Sequence, residues 1–330
     1  MTQTIPSTMT AAAHHRYGAP DVLRPEQRPV PRPRPGEVLV HVAAVAASAA
    51  DAALRSARPF AARLAAGLLR PRNPVLGSEV AGVVVALGPG VSTPEVGARV
   101  VGATGARMGG YAEYVCLPAA GVARVPDGVE LADAVGVTEG GLTALPFLRD
   151  QARVVAGQRV LVNGASGCVG TAAVQLAAHL GAEVVGVCSA RNADLVRSLG
   201  ATDVVDYRAA DFTAARAAYD VVFDTVATSS FRRCRGALKP GGVYLTTAPS
   251  PVAAVQSLLT RSTARKHVRL AFTGLRPQAE KAADMALLLG LAEHGVIRPV
   301  VERRYPLAEA AEAHRLVDSG RKRGSVLLIP

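Results

Sequence analysis

The sequence contains no tryptophan, and aromatic residues make up only 4% of its 330 residues. Its four cysteines are far apart and form no CxxC pair, so we predict neither a structural zinc site nor a disulfide framework. No apolar run reaches the roughly 18 to 20 residues that a membrane helix needs, so we expect no membrane partner. The first residues lack the basic and apolar regions of a secretory signal. Together these absences favour a cytoplasmic protein.

Acidic residues are also scarce: 26 Asp and Glu stand against 37 Lys and Arg, and the net charge is +11. A charge of this sign suits anionic partners such as nucleic acid or phosphorylated ligands. The arginines, however, are dispersed along the chain and are not interleaved with aromatic residues. This distribution favours a solvated basic surface, and we expect no dedicated nucleic-acid site.

Two patterns of hydrophobicity divide the chain. Up to about residue 128, short β runs such as Val80–Leu87 and Tyr111–Leu117 are separated by glycines and predict a compact, mostly β domain. Beyond that point strands alternate with helices, which is typical of a parallel, doubly wound sheet. The predicted strands include Glu183–Cys188, Tyr219–Asp224 and Gly242–Thr246. Residues 297–330 return to strand-like segments around a helix rich in Ala and Glu. The predicted fold class is therefore α/β.

A glycine-rich turn follows the predicted strand Arg159–Asn163. Gly164, Gly167 and Gly170 lead from this strand directly into a predicted helix. Glycines allow a tight turn and a close approach of a pyrophosphate, and the helix N-terminus supplies N–H donors and a favourable dipole. The strand before, the helix after and a second strand at the expected distance all predict a dinucleotide-binding turn.

The residues after the second strand bear on the choice of dinucleotide. An NAD site usually has an acid about 20 residues past the loop, where it binds the ribose 2′-hydroxyl. Residues 188–192 read Cys-Ser-Ala-Arg-Asn and contain no carboxylate. Ser189 can donate a hydrogen bond to a 2′-phosphate and Arg191 can form a bidentate pair with it. The pattern favours NADPH; the alternative is an ordinary exposed arginine.

Several further motifs accompany this loop, and with them the chain resembles the zinc-independent quinone oxidoreductase branch of the medium-chain dehydrogenase/reductase family. The resemblance covers nearly the whole chain. It implies a GroES-like, mostly β catalytic domain formed by residues 1–127 and 276–330 and a Rossmann domain at 128–275. It also implies a homodimer or a homotetramer, of which we expect the homodimer. The motifs are Pro74–Gly82, Gly110-Tyr-Ala-Glu-Tyr114, Gly141-Leu-Thr-Ala144, Asn163–Gly170, Asp206-Tyr207, Leu238-Lys-Pro-Gly241 and Ile297-Arg-Pro299.

The resemblance also implies where a cofactor binds. The glycine loop would hold the pyrophosphate, the turn after the second strand would surround the adenosine 2′-phosphate, and Thr143 and residues 247–248 would lie on either side of the nicotinamide. The full set is Thr143, Gly164, Ser166, Gly167, Cys168, Val169, Gly170, Ser189, Arg191, Asn192, Tyr207, Thr247 and Ala248.

Zinc-dependent relatives need a thiolate and an imidazole at two points of the catalytic domain. At the matching points this sequence has Ser48 and Ser78, and serine is a poor zinc ligand, so we predict no metal. Glu139 stands where the branch usually has an apolar residue. It is either a carboxylate near the nicotinamide or a surface-directed glutamate at a helix start.

The expected activity is NADPH-dependent reduction of a conjugated carbonyl compound. The substrate would be a quinone, an enone, or an enoyl or polyene intermediate, the last in specialised metabolism with coupled ring closure. Without a metal, hydroxyls, N–H groups or a carboxyl must stabilise and protonate the product oxygen. The alternatives are a non-enzymatic basic protein that binds NADPH or nucleic acid, and an alcohol dehydrogenase. The candidate catalytic residues are Ser48, Tyr111, Glu139 and Thr143.

Overall fold

The computed structural model describes residues 4–58, 60, 62–248, 250–260 and 265–330. Contacts between residues divide the chain into two units, Met1–Glu139 with Arg276–Pro330, and Gly140–Leu275. The first division falls inside a helix, Leu131–Pro146. The domain limits inferred from the sequence, 1–127 with 276–330 and 128–275, stay a prediction.

The first unit is built mainly of strands, because its apolar residues, rich in valine and alanine, recur in short runs that a sheet can bury on both faces. A larger sheet has the order β14-β15-β3-β4-β5-β7, with β6 paired to β3, and β1 and β2 form a separate antiparallel pair. The strands are β1 Thr8–Ala13, β2 Arg24–Pro29, β3 Glu37–Ala46, β4 Glu79–Leu87, β5 Arg99–Ala103, β6 Tyr114–Pro118, β7 Val122–Arg124, β14 Val301–Pro306 and β15 Ser325–Ile329.

Helices flank this sheet. The C-terminal helix α9 buries one apolar stripe, including Ala313 and Val317, and so closes one end of the core formed by β1, β3, β4 and β15. The helices of this unit are α1 Ala49–Ser56, α2 Ala62–Ala66, the first part of α3 Leu131–Pro146, α8 Gln278–Glu293 and α9 Ala310–Asp318.

The second unit contains a parallel sheet with the order β10-β9-β8-β11-β12-β13. All its described pairings are parallel, so the carboxyl ends of its strands meet at one edge. This order confirms the predicted Rossmann fold and, with the GroES-like sheet, the α/β class. Its elements are β8 Arg159–Asn163, α4 Cys168–His179, β9 Glu183–Cys188, α5 Ala193–Ser198, β10 Asp203–Asp206, β11 Tyr219–Asp224, α6 Phe231–Cys234, β12 Leu238–Thr246, α7 Pro251–Leu259 and β13 His267–Arg269.

Helix α3 continues beyond Pro146 as a π-helical turn, Phe147–Ala152. Its buried residues Phe147 and Leu148 place this turn against the sheet, where the ring of Phe147 lies 5.0 Å from that of Phe223. Within the described ranges, no helix has both the length and the apolar content required to cross a membrane.

Candidate functional site

The glycine loop joins the end of β8 to the start of α4. Gly164 adopts φ +82°, a left-handed conformation that favours glycine. A Cβ on Gly170 would lie 2.1 Å from the Gly164 carbonyl oxygen, so Gly170 is required by packing within the protein. A Cβ on Gly167 would lie 3.4 Å from the same oxygen, an ordinary contact. The protein itself therefore leaves room for a side chain at Gly167, which is the helix N-cap and makes no side-chain cap bond.

The turn after β9 lies beside this loop. The Asn192 amide donates a 2.9 Å hydrogen bond to Ser166 Oγ, which fixes the turn to the loop. Ser189 is buried at the start of the turn, whereas Arg191 is exposed. Tyr207, which directly follows β10, is 56% exposed. The structure thus brings the residues proposed for the pyrophosphate and the 2′-phosphate to the same edge of the parallel sheet.

A buried network that the sequence analysis missed ties three strands together at this edge. Asp224, at the end of β11, accepts hydrogen bonds from the Asn163 amide at 2.9 Å and from the Tyr244 hydroxyl at 3.1 Å. It also accepts one from the Ser229 backbone N–H at 2.9 Å. The sequence did contain a signal for this network, because two neighbouring apolar strands end in an asparagine and an aspartate. The network holds the loop after β11 over the carboxyl edge.

Residues 247 and 248 follow β12 at the same edge. The Thr247 N–H donates to the carbonyl of Asp224 at 3.2 Å, and its hydroxyl donates to the carbonyl of Thr225 at 3.2 Å. The Ala248 N–H donates to the Thr246 hydroxyl at 3.3 Å. Both residues are therefore fixed to the strand ends beside the glycine loop.

Thr143 reaches this region through helix α3. A Cβ on Gly140 would lie 2.3 Å from the carbonyl oxygen of Cys168, so α3 packs closely on the start of α4. Thr143 lies three residues further along the same helix face and is half-buried. Cys168 is also half-buried, as the first residue of α4. The second unit therefore assembles every residue that the resemblance assigns to the cofactor.

In the first unit, Ser48 caps helix α1. Its hydroxyl accepts from the Asp51 N–H at 3.1 Å, and Asp51 Oδ2 accepts from the Ser48 N–H at 3.1 Å, which makes a capping box. The hydroxyl also donates to Asp51 Oδ2 at 2.6 Å. Asp51 is fully buried and also accepts a hydrogen bond from the Gly77 N–H at 3.0 Å. Burial raises the pKa of Asp51 although these hydrogen bonds oppose the shift. The Ser48 hydroxyl is thus engaged in a structural contact.

Tyr111 is fully buried, so its hydroxyl does not reach a substrate directly in this structure. The hydroxyl lies 2.9 Å from His314 Nε2, and Arg55 Nη1 lies 3.2 Å from His314 Nδ1. Since a guanidinium only donates, Nδ1 accepts, and Nε2 of the neutral imidazole carries the proton. Arg55 continues the chain to Asp318 at 2.7 Å. His314 was not among the sequence-based candidates, because no local motif surrounds it.

Burial and the positive charge of Arg55 lower the pKa of His314 to about 3. The imidazole therefore stays neutral over the physiological range. Burial and nearby carboxylates raise the pKa of Tyr111 well above its usual value. A hydroxyl in this environment holds its proton, which favours a positioning role over proton donation.

Glu139 lies in the interior of helix α3, and its side chain is only 7% exposed. It is therefore not a surface-directed residue at a helix start. Its Oε2 has no hydrogen-bond partner among the described residues, while Oε1 lies 3.9 Å from Lys322 Nζ. The carboxyl groups of Asp51 and Glu79 lie near enough to interact electrostatically with that of Glu139. Burial, together with the negative charges of Asp51 and Glu139, raises the pKa of Glu79 to about 7.

The residues at the two points where zinc-dependent relatives hold a metal do not suit zinc. The Ser48 hydroxyl donates to Asp51 and the Ser78 hydroxyl donates to Glu79. Neither position offers a thiolate or an imidazole. In the part of the chain that the structure describes, no group of three or more His, Cys, Asp or Glu side chains could hold a metal ion.

Comparison with known proteins gives two family matches. Residues 34–127 match the alcohol dehydrogenase GroES-like domain, and residues 199–328 match a family described as zinc-binding dehydrogenase. A quinone oxidoreductase of Pseudomonas aeruginosa is 33% identical over 326 residues, which cover 95% of this chain and 97% of the relative. A 2-haloacrylate reductase from a Burkholderia species is 28% identical over 335 residues, with 97% and 98% covered.

A solved structure of the Escherichia coli quinone oxidoreductase complexed with NADPH superposes with a TM-score of 0.83 at 26% identity. The match covers 97% of this chain and 100% of that chain. Similarity of sequence and of fold thus extends over both units and confirms the resemblance inferred from the motifs. The chain belongs to the quinone oxidoreductase branch of the medium-chain dehydrogenase/reductase family of oxidoreductases.

Proposed function

We propose that this protein is an NADPH-dependent reductase that delivers hydride to a conjugated carbonyl compound. The observation that carries the proposal is the carboxyl edge of the parallel sheet. There a glycine loop, a turn without an acid and the strand-end threonines lie together in one unit. The relatives support it, since one is a quinone oxidoreductase complexed with NADPH and another is a 2-haloacrylate reductase.

The residues at this edge fit a dinucleotide phosphate. A Cβ on Gly167 would meet no atom of the described residues closer than 3.4 Å, so the space beside this glycine is open. The glycine stands at a helix N-terminus whose N–H groups suit a pyrophosphate. Ser189 and Arg191 would bind the 2′-phosphate, and Tyr207 would cover the adenosine. Thr143, with residues 247–248, would orient the nicotinamide. When bound, this cofactor would supply the hydride.

The protein must then deliver a proton to the reduced product, because hydride addition leaves negative charge on the carbonyl oxygen. Glu139 suits this step, since it is buried and one carboxyl oxygen has no hydrogen-bond partner among the described residues. Its other carboxyl oxygen, Oε1, lies 3.9 Å from Lys322 Nζ. The engaged hydroxyls of Ser48 and Tyr111 suit positioning of the surrounding backbone.

The substrate class is tested by following NADPH oxidation against a panel of quinones, enones and enoyl thioesters, together with simple aldehydes and ketones. We expect turnover only with compounds whose carbonyl is conjugated. With NADPH deuterated at C4, the label should appear at the β-carbon of a reduced enone or enoyl thioester. In a reduced quinone, no ring carbon should carry the label. Reduction of unconjugated aldehydes to alcohols at comparable rates would instead support an alcohol dehydrogenase.

We further propose a homodimer in the cytoplasm. No disulfide joins the four cysteines, as is usual in a reducing compartment. Helix α7 buries none of its residues, and Leu258 and Leu259 are 68% and 72% exposed. This apolar helix lies beside the edge strand β13 and leaves an exposed apolar surface there, of the kind that a symmetric dimer buries. Light scattering of the purified protein should give twice the mass of one chain, and a monomer would contradict the proposal.

A further inference from the structure

The described residues of the range 58–72, which are 58, 60 and 62–72, form a largely exposed segment of the first unit that the proposed reaction does not use. Its large apolar side chains face solvent: Phe60 is 70% exposed, Leu64 69%, Leu68 58% and Leu69 92%. Soluble proteins rarely expose so many large apolar residues in one place unless the surface contacts a partner or a membrane. The segment therefore calls for a functional explanation.

The same segment is strongly basic. The sequence from Ala52 to Ser78 contains no aspartate or glutamate, whereas Arg58, Arg63, Arg70 and Arg72 fall within the segment. No ion pair joins Arg58, Arg70 or Arg72 to a described residue. Their charges are thus available to an anionic surface. Exposed apolar side chains that alternate with arginines without an ion pair are typical of segments that bind the interface of a membrane.

Specific contacts hold the segment against the body of the protein. The Tyr17 hydroxyl donates to the carbonyl of Gly67 at 2.5 Å. The Arg63 guanidinium lies 5.0 Å from the centre of the Tyr17 ring and 5.3 Å from that of Phe60, within cation–π distance. Helix α2 is thereby fixed, and Leu68 and Leu69, which follow it, project outward.

A polar cavity of about 460 Å³ adjoins the apolar tip. Glu26, which contacts the lining residue His15, is already paired with His15 and Arg28. Guanidinium groups are well suited to phosphate oxygens, which they bind by charge-assisted hydrogen bonds. The residues that line the cavity are His15, Arg70, Pro71, Arg72 and Pro74.

We propose that residues 58–72 dock this protein peripherally on anionic phospholipid membranes. Leu68 and Leu69 enter the interfacial layer, while Arg70 and Arg72 bind lipid phosphate groups. The expectation of no membrane partner rested on the length of apolar runs. Interfacial docking depends on a different feature, exposed apolar area beside basic side chains, and needs no spanning helix.

The test is cosedimentation with vesicles at physiological salt. One set contains phosphatidylcholine alone and the other contains phosphatidylcholine mixed with phosphatidylglycerol. The full-length protein should sediment with the anionic vesicles and remain in solution with the neutral ones. Leu68→Ser/Leu69→Ser and Arg70→Glu/Arg72→Glu should each lower the partition coefficient at least about tenfold. Because these positions are exposed, the melting temperature should not change.

Two matched variants control for composition. Val96→Ser/Val155→Ser removes two valines that are 53% and 57% exposed elsewhere, and Arg32→Glu/Arg303→Glu makes the same change of charge at two exposed arginines outside the segment. Both should bind within about twofold of the parent, because distant charges are screened over roughly 8 Å. Equal losses in segment and control variants would overturn the proposal, as would a parent that fails to bind anionic vesicles. So would normal binding of the leucine variant, since attraction would then rest on charge alone.

Discussion

Glu139 and Tyr111 are both buried, yet their polar atoms have different surroundings. The Tyr111 hydroxyl is engaged by His314, whereas Oε2 of Glu139 has no hydrogen-bond partner among the described residues. A buried polar atom without a partner is costly, and such atoms are rare unless a ligand or a reaction uses them. Local sequence singled out both residues, but only the fold shows which one keeps a buried polar atom without a hydrogen-bond partner among the described residues.

Glu139→Gln tests this assignment. The substitution keeps the shape of the side chain and its capacity for hydrogen bonding but removes the ionisable proton. We expect turnover to fall roughly 10²-fold, with NADPH affinity and melting temperature unchanged, because general acid catalysis contributes about that factor. The pH–rate profile should lose one limb. Glu130→Gln, an exposed residue just before the same helix, is the matched control and should behave like the parent.

His314 makes stability depend on pH in a defined direction. Its pKa is about 3 in the folded protein and about 6.5 when unperturbed. Between these values the unfolded chain binds the extra proton, so the free energy of unfolding falls as pH drops, by up to about 1.4 kcal/mol per pH unit. Asp51 and Glu79, whose pKa values are raised, act in the opposite direction.

His314→Gln should therefore flatten the acid side of the stability profile. Urea unfolding at several pH values between about 4 and 7 measures this directly. The variant should be less stable than the parent near neutrality, where the contacts to Tyr111 and Arg55 are lost, and the difference should shrink as pH falls. Parallel profiles for the two proteins would show that the imidazole is not held neutral.

At the level of elements, two glycines of the loop allow the effect of packing to be tested apart from the effect on ligand binding. Gly170→Ala places a Cβ 2.1 Å from the Gly164 carbonyl, so we expect a marked loss of thermal stability. Gly167→Ala meets no atom closer than 3.4 Å and should melt like the parent, yet it should lose NADPH affinity at least about tenfold because the pyrophosphate needs that space. Gly128→Ala, which has no neighbour within 4 Å, is the control. Unchanged NADPH affinity in Gly167→Ala would count against the proposed pyrophosphate site.

The apolar strands of the parallel sheet were predictable from sequence because they are short, continuous and bounded by turn residues. Arg159–Asn163, Glu183–Cys188 and Tyr219–Asp224 have the predicted bounds. Strand β12 begins at Leu238, four residues before its predicted start, since the Pro-Gly-Gly sequence at 240–242 indicates a turn. The structure accommodates these residues through an irregular register between β11 and β12.

Tyr111 illustrates the opposite case. The sequence predicts that its strand starts there, but β6 begins at Tyr114. The Tyr111 backbone instead bonds to the Leu76 carbonyl and to the Ala12 N–H, both at 2.8 Å. These partners are remote in sequence, and no local pattern encodes them.

Across the whole molecule, the motifs were sufficient to identify the family, and the residues that they propose for the cofactor stay a prediction. The motifs were not sufficient to predict the hydrogen-bonded contacts that link Tyr111, His314, Arg55 and Asp318 in the first unit. These contacts join residues from both ends of the sequence. Arg55 pairs with Asp318, and Tyr111 with His314, each across more than 200 positions. Pairings of this kind arise from the return of the C-terminal strands to the first sheet.

The most direct test is a side-by-side titration of NADPH and NADH into the parent and into Arg191→Ala. We predict that the parent binds NADPH more tightly than NADH. The variant should weaken NADPH roughly 10- to 100-fold while NADH changes little, because only the 2′-phosphate loses a charge-assisted pair. Equal affinities in the parent, or equal losses of both cofactors in the variant, would contradict the assignment of this protein as an NADPH-dependent reductase that reads the 2′-phosphate through Arg191.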